Sequence, residues 1–190
     1  MGQYYNIAIK PRGEDVVINE RNISGYDYIM AKLMEHSYMG NDLCKCVGKL
    51  LEEKPCRVSW VGDYSEQDEL DRITRGCLSY DKAWNGKSDP AFDPPGDFSW
   101  RGKILVNHDR SLYLDLDEYT EEAESNSGDW IICPIPLLTA IGNGRGGGDY
   151  YENNHDSDKV GTWAWDELEI LPKDKVPEGY EKFECLFYEN

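Results

Sequence analysis

The apolar positions between residues 42 and 54 repeat with the spacing of a helix. One stripe, at i, i+3, i+4, i+7 and i+8, holds Leu43, Cys46, Val47, Leu50 and Leu51. Asn41 suits the N-cap position, because its side-chain oxygen can accept a hydrogen bond from a first-turn amide. Pro55 predicts the end of the helix. A second helix is predicted from Ser65, which forms a capping-box pattern with Asp68.

Alternating apolar residues predict several short strands. Residues 3–10 place Tyr5, Ile7 and Ile9 on one face, and residues 16–18 form a second apolar run after a turn. Together these two runs predict an opening hairpin. Residues 56–61, directly after the first helix, predict a further strand.

The second half of the chain also predicts strands. Residues 103–107 and 112–116 flank a polar turn and predict a hairpin. Residues 117–129 are dense in carboxylates and predict an acidic loop. Further strands are predicted at residues 130–133, 160–170 and 180–188.

These elements predict an α+β fold in which an antiparallel sheet of several short strands carries about two helices. No repeat or linker divides the chain, so residues 1–190 are expected to form a single domain. Residues 84–100 are rich in Asp, Pro and Gly and predict a long surface loop. Residues 142–158 predict a second, glycine-rich loop.

Charge and cysteine usage narrow the class of protein. The formal charge of −17 repels phosphate backbones and anionic lipids, so direct nucleic-acid binding is not expected. The sequence contains neither an apolar run of about 18 residues nor the pattern of a signal peptide, so no membrane contact and a cytoplasmic location are expected. The six cysteines lack paired CxxC spacing, which favours free core thiols and argues against a structural zinc site.

Residues 142–149, Gly-Asn-Gly-Arg-Gly-Gly-Gly-Asp, are the most unusual segment. Ordering consecutive glycines costs chain entropy, so such a segment suits a place where the backbone is approached closely. Its amide groups can line an anion site, and Arg145 can add a forked donor. The spacing of Gly142, Gly144 and Gly147 matches G-x-G-x-x-G, but prolines precede it and no helix pattern follows, which excludes a dinucleotide fingerprint. A slack surface loop is the alternative interpretation.

Several segments resemble one family. The residues that carry the resemblance lie in 1–5, 32–37, 60–64, 106–108, 112–113, 137–150 and 160–166. In these segments the chain is similar to an uncharacterised family of small conserved proteins of bacteria and their phages that carry the GNGRGGGD loop. The resemblance implies an accessory role, such as interference with a host system. It brings no activity, so no catalytic residue is transferred from it.

Three functional hypotheses remain open at this stage. The first is a protein that binds a small anionic ligand, a nucleotide or a phosphorylated metabolite, at the glycine-rich loop. Trp163 and Tyr150 are expected to stack on a base. The residues expected to contact the ligand are Gly142, Asn143, Gly144, Arg145, Gly146, Gly147, Gly148, Asp149, Tyr150 and Trp163.

The second hypothesis is a hydrolase that depends on a metal or on a His–Asp pair. His36, His108 and His155 are the histidines of the sequence, and Asp63 and Asp149 stand at glycine-containing turns. A histidine beside a carboxylate can act as a general base. No spacing matches a known metal motif, so no metal site is predicted and no cofactor is indicated.

The third hypothesis is a protein partner that meets the acidic surface, as a nucleic-acid mimic does. The carboxylate-rich stretch 115–129 carries this hypothesis.

Overall fold

The computed structural model describes residues 1–14, 31–66 and 98–189. Within these ranges seven strands form one sheet, in the order β1-β2-β6-β3-β4-β7 with β5 beside β2. Their bounds are β1 Tyr5–Pro11, β2 Cys56–Gly62, β3 Lys103–Asn107, β4 Leu112–Asp115, β5 Ala140–Ile141, β6 Glu167–Pro172 and β7 Glu181–Lys182. The β2–β5 and β4–β7 pairs are parallel, and the other pairs are antiparallel.

Four α-helices accompany the sheet in the described part of the chain. Their bounds are α1 Leu33–His36, α2 Asp42–Glu53, α3 Leu116–Ser127 and α4 Pro134–Leu138. Two short 3₁₀ turns lie at Ser157–Lys159 and Lys173–Lys175. The α+β class with a mostly antiparallel sheet is therefore confirmed, with more helices than the two that the sequence patterns indicate.

Helix α2 follows its predicted pattern closely. The side chain of Asn41 accepts a hydrogen bond from the Leu43 amide at 2.9 Å, as expected of an N-cap. The apolar stripe of α2 is buried and packs in one core with Tyr5, Ile7 and Ile9 of β1. Burying side chains of this size stabilises the fold by about 1.5–3 kcal/mol each.

Strand β1 pairs with β2 along its whole length, with Ile7 opposite Trp60. This register places the N-terminal segment at the edge of the sheet, where it meets the end of β2. The second strand of the expected opening hairpin, at residues 16–18, lies outside the described residues. The helix expected after Ser65 and residues 84–97 of the expected long loop also lie outside them.

The prediction of an acidic loop at residues 117–129 is wrong, because most of this stretch is helix α3. The carboxylate of Asp115 caps the helix, accepting hydrogen bonds from the amides of Asp117 (3.0 Å) and Glu118 (3.2 Å). Leu116, Tyr119 and Ala123 form its buried stripe. The apolar stripe is short, and the surrounding carboxylates conceal it in the sequence.

Three predicted strands are too long. Residues 130–133 form only an isolated bridge between Ile132 and Tyr38, because α4 begins directly afterwards. Strand β6 starts at Glu167, since Gly161 and Trp165 take positive φ angles that break an extended chain. At the end of the chain, β7 includes only two residues.

The cysteines in the described residues are unpaired, as expected of reduced thiols, and four of the five are buried. Burial raises the pKa of Cys46 to about 11 and that of Cys56 to about 12, so both thiols stay protonated at neutral pH. None of the helices in residues 1–14, 31–66 and 98–189 is long and apolar enough to cross a bilayer.

Candidate functional site

The glycine-rich loop closes around the carboxylate of Asp149. The amides of Gly144, Arg145 and Gly146 donate to its Oδ2 atom at 2.9, 3.0 and 3.0 Å. The side chain of Asp149 is buried, and its Oδ1 atom accepts a hydrogen bond from the hydroxyl of Tyr5 at 3.1 Å. The loop is thus an anion-binding nest, and the anion in it is a side chain of the same protein.

Tyr5 is a stable donor in this arrangement. Burial, together with the nearby charge of Asp149, raises the pKa of Tyr5 well above its usual range. The phenol therefore keeps its proton and holds the carboxylate against β1.

The two ends of the loop are joined by Asn143 and Tyr150. The side-chain amide of Asn143 donates to the carbonyl of Tyr150 at 2.7 Å, and its oxygen accepts from the Tyr150 amide at 2.9 Å. This pair imitates the reciprocal bonds of two adjacent strands. The loop therefore has an internal closure independent of Asp149.

The loop also packs on the first residues of the chain. Gly147 forms a bridge with Gly2, and its carbonyl accepts from the Gln3 amide at 3.3 Å. A Cβ atom at position 146 would lie 2.5 Å from the backbone nitrogen of Gln3, so only glycine fits there. The loop is an ordered part of the fold, and the slack-loop interpretation is wrong.

Arg145 lies on the outer edge of the loop. Its Nη1 atom donates to the carbonyl of Tyr64 at 3.0 Å and lies 3.5 Å from a carboxylate oxygen of Glu66. About a third of the side chain, 32%, is exposed to solvent. The hydrogen bond to the Tyr64 carbonyl orients the guanidinium, and part of the side chain remains in contact with water.

Three half-exposed tyrosines have backbone or hydroxyl contacts near this edge. Tyr4 is 38% exposed, Tyr64 36% and Tyr151 45%. The Tyr151 hydroxyl donates to the Gly146 carbonyl at 3.2 Å. Asp63 links the first two tyrosines, because its carboxylate accepts from the Tyr4 amide at 3.1 Å and Tyr64 follows it in the chain. We call Tyr4, Tyr64, Arg145 and Tyr151 the glycine corner.

Tyr150 and Trp163 lie in the core rather than at the glycine corner. Each is 1% exposed. The ring of Tyr150 packs edge-to-face on Phe187 at 5.5 Å, and Trp163 packs on Phe183 at 4.9 Å. Both rings are covered by the protein, so neither aromatic face is open to a ligand.

His36 is a buried core residue beside Trp60. The indole N–H of Trp60 donates to its Nε2 atom at 2.8 Å, so the ring is neutral and carries its proton on Nδ1. Burial lowers the pKa of His36 to about 4. Protonation would remove the acceptor and place a charge in an apolar core.

His108 has a different setting, between a carboxylate and a phenol. Its Nε2 atom lies 2.8 Å from a carboxylate oxygen of Glu169, and its Nδ1 atom lies 2.9 Å from the hydroxyl of Tyr180. In the tautomer with the proton on Nε2, the ring donates to Glu169 and accepts from Tyr180. A histidine held in this way can take a proton from the phenol.

The structure does not bring the histidine candidates into one group. His155 bonds to the Leu186 carbonyl at 2.8 Å and stacks on Tyr188, while His36 and His108 have the separate partners given above. Within the described ranges, no three His, Cys, Asp or Glu side chains form a group that could hold a metal ion.

The sequence patterns missed the partners of the candidate residues. Tyr5 is 144 positions from Asp149, and Glu169 and Tyr180 are 61 and 72 positions from His108. Alternation correctly places Tyr5 in the core but says nothing of its hydroxyl. No signal in a single sequence pairs residues at such separations.

Replacing His36 is expected to change how stability depends on pH. The unfolded histidine has a pKa near 6.5 and the folded one about 4, so the unfolded state binds more protons between these values. The contribution of neutral His36 to the free energy of unfolding is complete above pH 6.5. It is lost as the pH falls towards 4, by up to about 3 kcal/mol. In His36→Gln the free energy of unfolding should fall less over this range, as measured by urea titrations.

His155→Gln is the matched control for this experiment, because His155 is partly exposed. It makes the same exchange of His for Gln outside the core, so it separates the effect of burial at position 36 from the effect of the exchange itself. Equal pH slopes for wild type and His36→Gln would contradict the assignment of His36 as a buried neutral acceptor.

Replacing Gly146 is expected to damage the fold, whereas replacing Gly147 is not. An added methyl group at 146 meets backbone atoms of Gln3, and overpacking of this kind costs about 2–3 kcal/mol. At 147 the nearest atom to an added Cβ is 3.6 Å away, an ordinary contact, so Gly147→Ala should change stability by less than about 0.5 kcal/mol. Denaturant unfolding of both variants measures the difference, and equal stabilities would contradict the close packing.

Comparison with known proteins gives no match, whether with protein-family models, curated proteins or solved structures. The resemblance to the bacterial and phage family stays a prediction.

Proposed function

We propose that this protein binds a small anionic ligand at the glycine corner, with Arg145 meeting the charge of the ligand. The observation that carries the proposal is the position of Arg145. Its side chain is partly exposed, and its guanidinium donates to the Tyr64 carbonyl from a loop that has a defined shape. A guanidinium held in this way is suited to phosphate and carboxylate groups.

The buried carboxylate of Asp149 determines which groups contact the ligand. It accepts from three loop amides, so those amides are engaged within the protein. The proposed contacts therefore lie on the rim of the loop instead of inside it. In this proposal, Asp149 and the glycines position Arg145.

The exposed tyrosines favour a ligand with a planar ring. Stacking of a base on an aromatic side chain stabilises a complex by about 1–3 kcal/mol. Tyr64 and Tyr151 flank Arg145 through the backbone contacts described above and offer exposed rings. Asp63, Glu66 and the overall charge of −17 oppose long polyanions, which favours a mononucleotide over a nucleic acid.

Removal of the Arg145 side chain is expected to weaken nucleotide binding. A hydrogen bond to a charged group contributes about 1.5–3 kcal/mol, so Kd should rise about tenfold to a hundredfold in Arg145→Ala. A thermal-shift panel of nucleoside mono-, di- and triphosphates identifies a binding member, and titration calorimetry gives Kd. Arg145→Lys keeps the charge without the fork and should fall between wild type and Arg145→Ala.

Arg101→Ala is the matched control, because Arg101 is an exposed arginine two residues before β3, a strand separated from β2 by β6. It should bind as the wild type does. If no nucleotide binds the wild-type protein, or if Arg145→Ala and Arg101→Ala bind equally, the proposed site is wrong.

A second candidate function is acid–base catalysis at His108. The observation that favours it is the placement of this ring between Glu169 and Tyr180, both within hydrogen-bonding distance. Glu169 orients the ring, which accepts the phenol proton as Tyr180 attacks an ester or phosphodiester and returns that proton to the departing alkoxide. The ring then takes a proton from the water that attacks the acyl- or phosphoryl-tyrosine, and this proton goes to the Tyr180 phenolate as it leaves.

Hydrolysis of p-nitrophenyl esters and of bis(p-nitrophenyl) phosphate tests this candidate. His108→Ala should lower the rate about a hundredfold, and His155→Ala should leave it unchanged. Rates in the wild type no higher than in buffer, or equal rates in the two variants, would exclude the candidate.

A further inference from the structure

We propose that a cleft beside Trp130 docks a basic segment of a partner protein. The cleft has a volume of about 180 Å³, and its described lining residues are Tyr38, Ser127, Trp130, Ile132 and Glu189. We call these five residues the Trp130 cleft. This surface shares no residue with the glycine corner.

Trp130 is the first reason for assigning a partner to this surface. Its side chain is 72% exposed, although tryptophan is among the residues that folding buries most. Its ring packs edge-to-face on Tyr38, with 5.6 Å between the ring centroids. Exposed aromatic groups beside a cleft are typical of binding surfaces, and tryptophan is enriched among the residues that dominate interface energies.

The backbone around the cleft is already fixed. The amide of Met39 donates to the Ile131 carbonyl at 2.9 Å, and the hydroxyl of Tyr119 donates to the Ile132 carbonyl at 2.9 Å. The Cys133 amide donates to the Ser37 carbonyl at 2.8 Å. The three residues that follow Trp130 are thus held by hydrogen bonds to neighbouring segments, so docking requires little ordering of the chain.

The negative charge at the cleft favours a positively charged partner segment. Among the described lining residues, Glu189 is the one that carries a charge at neutral pH. Ser127 is the last residue of α3, so the negative end of that helix dipole lies at the cleft. The last turn of α3 contains no basic side chain, and Asp129 adjoins Trp130.

An arginine or lysine side chain can bind both to the exposed ring of Trp130 and to the negative charge of the cleft. Its cationic group can lie over the face of Trp130 while the carboxylate of Glu189 and the helix end attract it. Apolar side chains of the same segment can contact Tyr38 and Ile132. The overall charge of −17 draws a basic partner from a distance and repels nucleic acids and anionic membranes.

A fluorescein-labelled 12-residue peptide of alternating arginine and leucine is the probe. Fluorescence anisotropy measures its binding to the full chain. The wild type should bind this peptide and should not bind a glutamate–leucine peptide of the same length. Trp130→Ala should raise Kd at least about tenfold and Glu189→Gln severalfold, because the first removes the anchor and the second the charge.

Val176→Ala is the matched control, since it truncates an exposed apolar side chain elsewhere on the surface, outside the glycine corner. Its Kd for the arginine peptide should equal that of the wild type. If Trp130→Ala binds as tightly as Val176→Ala, general charge attraction alone explains binding and the proposal is overturned. Failure of the arginine peptide to bind also overturns it. Nucleotide binding at Arg145 is measured separately and is unaffected by either result.

Discussion

The carboxylate of Asp149 joins parts of the chain that are far apart in sequence. Its Oδ2 atom accepts hydrogen bonds from three loop amides, and its Oδ1 atom accepts one from the Tyr5 hydroxyl. A buried carboxylate without such donors would be costly, and three buried amides without an acceptor would be costly too. The amides and the carboxylate each supply the hydrogen-bonding partner without which burial of the other would cost free energy. The resulting closure holds the glycine-rich loop against the N-terminal residues and β1.

This closure gives a physical reason for the composition of the loop. A nest needs backbone conformations and close approaches that side chains disfavour, and Gly146 lies directly against Gln3. A loop stabilised from within keeps its shape without a bound ligand. It can therefore hold Arg145 and the neighbouring tyrosines in place, which is the role assigned to it at the glycine corner.

Local patterns predict the parts of this structure that depend on local interactions. The stripe and N-cap of α2 are correct, because burial of one face and capping by Asn41 act within a few residues. Helix α3 was missed, because Asp115 caps a helix whose exposed surface is dense in carboxylates. The sequence identifies the unusual glycine segment, but it does not show that the anion bound by the loop amides is the carboxylate of Asp149. Asp149 was predicted to contact a ligand, and only the fold reveals that Tyr5 and the loop amides surround it.

Amide hydrogen exchange at residues 144–146, followed by NMR on the ligand-free protein, tests the closure by Asp149 most directly. These three amides should exchange at least about a hundredfold more slowly than in an unstructured peptide, because each donates to a buried carboxylate. The substitution Asp149→Ala should remove this protection. Exchange of the three wild-type amides at the rate of an unstructured peptide would contradict the closure by Asp149.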